Sequence, residues 1–233
     1  MSSLLPPRIL AIDTVLGVCS VAVVETDANQ PVVYLTEPME RGHAEALLPM
    51  IQQATLGLEG GFASLTRVAV TIGPGSYTGI RVGLSAARAV GLALKIPVVG
   101  VSTLAAYAAP LIASAVGDVV AVAIDAKHGN VFFQAFAPGG RTLVSPRLTS
   151  IKEAARAIGA GSVRLAGTGA ADLAVECWNK GLEASLANLS EHPDIFWVAR
   201  LGLSANPQTA KPKPLYLQAP SALMSTRGRV ALQ

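Results

Sequence analysis

Two aspartates, each closing an apolar run and each followed by a tight turn, are the first residues here with a chemical use. Arg8–Asp13 (RILAID) ends on Asp13 with Thr14 next, and Val119–Asp125 (VVAVAID) ends on Asp125 with Lys127 two residues on. In an Asp-turn-strand hairpin the backbone N–H groups can cradle a phosphate, and the carboxylate can hold a metal-bound water. The same Asp can instead cap its own turn through its side chain, and for Asp13 both uses stay open. The turn Val15-Leu16-Gly17-Val18 is apolar where a phosphate loop uses Gly, Ser, Thr or Lys. That weighs against a nucleotide at the first hairpin.

The segment GPGSYTGIR, Gly73 to Arg81, follows an apolar run and opens a helix, which is the context for anion binding by helix N–H groups. Ser76 and Thr78 are its candidate phosphate contacts, alongside Asp13 and Thr14, and either can cap the helix. No Lys-Ser/Thr pair follows at P-loop spacing, and Gly-x-Ser-x-Gly is absent, so Ser76 is not a nucleophile elbow. His43, His128 and His192 are far apart and form no HExxH-type pair, so no metal site is expected. Cys19 and Cys177 lack metal-ligand spacing and fit a reducing compartment.

Behind that loop, Gly79, Gly83, Ala87 and Gly91 recur every four residues as a ridge of small side chains. Each helical Gly costs roughly 1 kcal/mol relative to Ala, so the ridge implies close approach of another element, inside the lobe or on a partner. Two helices, Gly42–Leu58 and Thr78–Lys95, are expected to pack side by side and share a face. His43, Leu47 and Ile51 from the first, with Ile80, Gly83, Ala87, Val90 and Gly91 from the second, are the candidate partner-binding residues. Pro49 should bend the first helix or remove one hydrogen bond.

The elements that must position these residues follow from periodicity. Strands are expected at Arg8–Asp13, Cys19–Thr26, Val32–Thr36, Val68–Ile72 and Val98–Val101. The pattern then restarts with Val119–Asp125, Asn130–Phe136, Thr142–Val144, a helix at Ser150–Ile158, Val163–Ala166 and a helix after Gly167-Thr168-Gly169. Ala11-Ile12-Asp13 has its counterpart in Ala123-Ile124-Asp125. The order reads as a duplicated β-β-β-α-β-α unit, giving an α/β chain of two similar lobes, each a mixed sheet with flanking helices, and a cleft between them. The expected division is 1–107, 108–206 with a last helix at Ile195–Ala205, and a Pro-rich basic tail, 207–233.

Composition supports a well-packed chain: of 233 residues 51% are hydrophobic and 14% charged, which excludes disorder. The most apolar stretch, Ala105 to Ile124, is broken by Pro110, Gly117 and Asp118, short of a membrane span. The N-terminus lacks the basic region of a signal peptide, so a cytoplasmic protein is expected. Beyond Asp194 there are five basic residues, Arg200, Lys211, Lys213, Arg227 and Arg229, and no acidic one. Such a tail can touch RNA phosphates or simply stay solvated.

Taken together, ILAIDTVLGVCSVAVVE, HAEALLPMI, VAVTIGPGSYTGIRVGLSAARAVGLALKIPVVGVSTLAAYA, AIDAKHGNVFFQAF and KPKPLYLQAP resemble the TsaB/YeaZ family. That family lies in the glycoprotease-like (peptidase M22-like) branch of the actin/hexokinase/Hsp70 superfamily. The resemblance implies duplicated actin-like, ribonuclease H-like lobes. It also implies a non-catalytic subunit that binds the catalytic paralogue TsaD, joined by TsaE, to make threonylcarbamoyladenosine beside the anticodon of tRNAs reading ANN codons. ATP and metal are then expected on the partner subunits and no cofactor on this chain, with a homodimer when it is alone and only indirect contact with tRNA. The two metal-binding histidines of TsaD align through Pro97–Val101 with Thr103 and Tyr107. The apolar Val15–Val18 turn departs from the polar turn usual in the family. A small-molecule kinase, a metalloprotease and a self-associating binding protein are the competing readings.

Overall fold

The structure is a computed structural model and describes residues 6–114 and 117–218. The tail residues Pro220, Arg227 and Arg229 lie outside the described residues.

β1 (Arg8–Asp13) and β2 (Val18–Glu25) form the expected hairpin, and β3 (Val33–Pro38) extends it. After α1 (His43–Leu56), β4 (Leu65–Thr71), α2 (Tyr77–Leu94) and β5 (Val98–Val101) complete a first sheet ordered β3-β2-β1-β4-β5. β1 runs antiparallel to β2 and parallel to β4. α3 (Thr103–Ser114) carries the chain into a second lobe. There β6 (Val119–Asp125), β7 (Asn130–Phe136), β8 (Thr142–Ser150), α4 (Ile151–Ile158), β9 (Ser162–Ala166), α5 (Ala170–Trp178) and β10 (Glu183–Asn188) follow. The second sheet is ordered β8-β7-β6-β9-β10, the same pattern. In each hairpin the Asp pairs beside the turn, Asp13 with Ser20 and Asp125 with Val131, so both carboxylates stand at corresponding ends of their sheets. The expected pair of mixed-sheet α/β lobes is therefore what forms.

β1 is buried on both faces, which is why it reads as an unbroken apolar run. Leu10 and Ile12 pack with Leu47, Ile51, Ile80, Leu84 and Ala87 of α1 and α2. Ile9 and Ala11, alternating to the other face, pack with Ile195, Val198 and Ala199. Those last three belong to α6 (Ile195–Ser204), capped by Asp194, whose Oδ1 accepts from Phe196 N at 2.9 Å. Gly202 lets α6 sit directly on the sheet, because a Cβ there would be 2.4 Å from Ala69 Cβ. Arg67 Nη1, from β4, donates to the carbonyls of Gly202, Leu203 and Ala205 and closes the helix.

Two expected boundaries change as a result. The last helix returns to the first sheet, so the second lobe does not run to residue 206. The division at 107 falls inside α3, whose Leu104, Tyr107, Ala108 and Leu111 pack on Val120, Val122 and Ile124 of β6. α3 and β10 were not expected. A helix buried all round shows no amphipathic period, and β10 is an edge strand whose six residues are only half-buried or exposed.

Candidate functional site

The first hairpin and the GPGSYTG loop are packed into one another. Ser76 N donates to Val15 O at 2.8 Å, and Thr14 Oγ1 donates to Gly79 O at 2.7 Å. At Gly79 an added Cβ would meet Thr14 O at 1.9 Å, and at Gly75 it would meet Val15 Cγ1 at 2.5 Å. Gly75 also has φ +153°. Asp13 and Thr14 are completely buried under this contact. Asp13 Oδ1 accepts from Thr71 Oγ1 at 2.6 Å and from Val15 N at 3.0 Å, the bond of a turn cap. Asp13 Oδ2 has no partner among the described residues. Burial raises the Asp13 carboxyl above the ordinary carboxylate range, and the Thr71 and Val15 hydrogen bonds only partly offset it.

The four phosphate candidates are thus split. Asp13 and Thr14 lie beneath the loop, where a phosphate cannot reach them. Ser76 and Thr78 stand exposed on the outside, and Ser76 Oγ accepts from Gly79 N at 3.2 Å as the cap of α2. They line a recess with Arg41, His43 and Glu45 at the N-terminal turn of α1. His43, half-buried, bridges to the hairpin through Nε2 and Leu16 O at 3.3 Å.

The second hairpin is open. Lys127, His128 and Gly129 are consecutive left-handed residues with φ 68°, 55° and 73°. Asp125 Oδ2 pairs with Lys127 Nζ at 2.9 Å while Oδ1 accepts from Lys127 N. Partial burial pushes the Asp125 carboxyl up, but the Lys127 hydrogen bonds and charge together hold it below its usual value. Across the inter-lobe cleft, about 430 Å³, this hairpin faces Leu16, Gly17, Leu189 and Glu191. Leu16 and Gly17 offer no side-chain donor to a phosphate, and Glu191 on the same wall is an acid that would repel one.

The small-residue ridge is a correction. Gly83, Ala87 and Gly91 do not face outward, and neither do Leu47, Ile51, Ile80 and Val90, all of which are buried in the first lobe. A Cβ at Gly83 would meet Thr14 Oγ1 at 2.6 Å, and one at Gly91 would meet Val98 Cγ2 at 2.2 Å. The ridge exists so that α2 can lie on the hairpin and on β5, an internal contact. α1 and α2 do pack side by side, but their shared outer surface is one helical step away. Ala44, Leu48, Arg81, Val82, Ser85, Ala86 and Ala89 line an open apolar groove there, and Leu48 is 60% exposed beside a Leu47 that is 1% exposed. Farther along, Leu56 and Leu92 are 75% and 81% exposed. The period of both helices was legible, whereas its phase depended on which face the sheet takes.

Thr103 and Tyr107, the positions matched to metal ligands, are unsuited to that task. Both are buried, and Tyr107 OH donates to Ser190 O at 2.9 Å. Burial, reinforced by the charges of Asp13 and Glu191, keeps the phenol protonated far above its normal range. Among the described residues no three His, Cys, Asp or Glu side chains gather as a metal site, and no helix is long and apolar enough to cross a membrane.

A family model described as "TsaD: tRNA N6-adenosine threonylcarbamoyltransferase" matches residues 36–190, well over half of the chain. The tRNA threonylcarbamoyladenosine biosynthesis protein TsaB of Buchnera aphidicola subsp. Schizaphis graminum (strain Sg) is 37% identical over 126 residues, 54% of this chain and 58% of that protein. TsaB of Escherichia coli (strain K12) is 35% identical over 126 residues, 54% and 53% respectively. The chain therefore spans a little over half the length of the curated relatives it matches. The solved structure "YeaZ from Pseudomonas aeruginosa" superposes with a TM-score of 0.69 at 23% identity, covering 91% of this chain and 100% of that one, so the two share a fold. With that fold, TsaB proteins among its relatives and the family model matched from β3 to the end of the second lobe, this chain belongs to the threonylcarbamoyltransferase family, on its TsaB/YeaZ branch.

Proposed function

We propose that this chain is a non-catalytic subunit in the formation of threonylcarbamoyladenosine on tRNAs reading ANN codons, and that it works by docking TsaD on the outer face of α1 and α2. The observation that carries the reading is the apolar groove between those helices, bordered by Leu48, Val82, Ala86 and Ala89. Contiguous apolar surface of this kind is normally covered by a partner. TsaE with ATP would join the pair, and a homodimer through the same groove would form when TsaD is absent. The plugged first hairpin and the Thr103–Tyr107 pair support a subunit that carries no transferase, kinase or peptidase chemistry of its own.

Reconstitution of tRNA modification with and without this chain is the test, paired with groove variants. Leu48→Glu and Ala89→Glu place a charge on the outer face at exposed groove residues that do not pack against the core. Each should weaken TsaD binding at least tenfold, about 1.4 kcal/mol, with a Tm within about 2 °C of the parent. Modification that proceeds equally well without the chain would overturn the assignment. Normal TsaD binding by both variants would overturn the surface.

A further inference from the structure

Two stretches of this chain, residues 60–117 and 195–233, contain no Asp or Glu. The fold lays parts of both side by side. Beyond α6 the chain runs back as a strap along α2. Gly100 N donates to Ala210 O at 3.0 Å, Arg88 Nη2 to Pro212 O at 2.5 Å, and Leu215 N to Ile72 O at 2.8 Å. The strap ends with the Tyr216 ring on Tyr77, centroids 4.8 Å apart and planes at 33°. Arg81 sits over the other ring of this pair, 4.0 Å from the Tyr77 centroid.

On α2, Tyr77, Arg81 and Arg88 follow at intervals of four and seven, so they share one side of the helix, and Lys95 is its C-cap. That side flanks the strap, with Arg81 also at the rim of the α1–α2 groove that Val82, Ala86 and Ala89 line. Arg81, Arg88, Lys95, Lys211 and Lys213 are all exposed, and none of them is in an ion pair among the described residues. Dispersed cations that only keep a protein soluble need no such order. Here Arg88 is tied to the strap backbone, Arg81 is stacked on an aromatic pair, and Lys213 is set between Pro212 and Pro214, whose φ angles are fixed.

A row of unpaired cations beside stacked, partly exposed aromatic rings matches the chemistry of an RNA strand: phosphates along the row and a base against the ring. We propose that this strip, Tyr77, Arg81, Arg88, Lys211, Lys213 and Tyr216, is a direct RNA-binding surface that takes the tRNA backbone. Its choice of tRNA rests on the function proposed above, and it replaces the expectation that tRNA contact is only indirect. An acidic protein surface could also meet the cations, but it would have no use for the aromatic pair.

The test is a fluorescence-anisotropy titration of the full chain with unmodified tRNA at several salt concentrations. Parental affinity should fall linearly on a log–log plot against salt. Lys211→Glu/Lys213→Glu alters exposed side chains whose only hydrogen bond among the described residues is the 3.4 Å contact of Lys211 with Gln208, so its Tm should stay within about 2 °C. It should bind at least tenfold more weakly, with a salt slope shallower by about 1.4. Tyr216→Leu should lose roughly fivefold or more with the slope unchanged. Parental affinity in both variants, or tRNA binding that is absent from the parent, overturns the proposal. Loss of an acidic protein partner with tRNA affinity intact does so as well and assigns the strip to that protein. The anisotropy readout does not depend on whether the chain is needed for modification, so failure of the strip and failure of the proposed function are told apart.

Discussion

Gly79 and Asp13 show what one residue decides here. At Gly79 any side chain would collide with the backbone oxygen of Thr14, and a backbone atom cannot step aside as a side-chain tip can. Gly79→Ala, which would stabilise an ordinary helix interior, should here cost roughly 1–3 kcal/mol as overpacking, several degrees in Tm. A thermal melt at or above the parent's would refute the close approach. Gly83→Leu should likewise lose stability, because the ridge is core. Asp13 carries a cost of the opposite kind. Its carboxyl is raised in the folded state, so the native chain holds that proton to higher pH than the unfolded chain does. Stability from this group is therefore greatest below about pH 4, the unfolded carboxylate value, and falls as pH rises from there toward the raised folded value. Asp13→Asn keeps the acceptor that serves Val15 and Thr71 and removes the buried charge. It should melt higher than the parent at pH 8, with the gap closing toward pH 4; a gap constant across that range would mean the charge is not the cause.

At the scale of elements, α6 depends on a residue far away in sequence. Three of its C-terminal carbonyls rely on Arg67, from a strand more than a hundred residues earlier. Charged hydrogen bonds of this kind are worth about 1.5–3 kcal/mol, and α6 has no basic residue of its own in its last turn. Arg67→Ala should lower Tm by several degrees and speed amide exchange across residues 195–204 before the rest of the first lobe. Uniform exchange through the lobe would show that α6 does not open separately. By contrast α4 is self-sufficient. Ser150 and Glu153 form a reciprocal capping box, so its start is written locally.

The whole molecule is two copies of one sheet pattern, but the copies are not two independent chains. α6 follows the second lobe in sequence and covers the first in space. A chain ended after Leu189 would leave Ile9, Ala11, Ala22 and Val24 without their cover. Burying each large apolar side chain is worth about 1.5–3 kcal/mol, a loss comparable to the total stability of a domain. That shortened chain should aggregate or bind a hydrophobic dye strongly; a soluble monomer with a parental melting profile would show that the lobes are separable.

What the sequence determined by itself was everything governed by local period and turn chemistry. β1, β5, β6 and β7 match the expected bounds residue for residue, and for β1 and β6 the reason is that buried strands are written as unbroken apolar runs, here closed by Asp. Ser76 was legible as a cap, and the repeated Ala-Ile-Asp pointed to the duplication. What only the tertiary structure decided was phase and return. Small residues every four positions announce a close contact but not with what; the buried strands β1 and β4 drew the ridge inward and left Leu48, Val82 and Ala86 outside. The second sheet has its own helices, so nothing along the chain signals that α6 and the strap go back to the first. Those placements rest on contacts between residues more than a hundred positions apart, which no local pattern encodes, and they set the groove and the cationic strip in place.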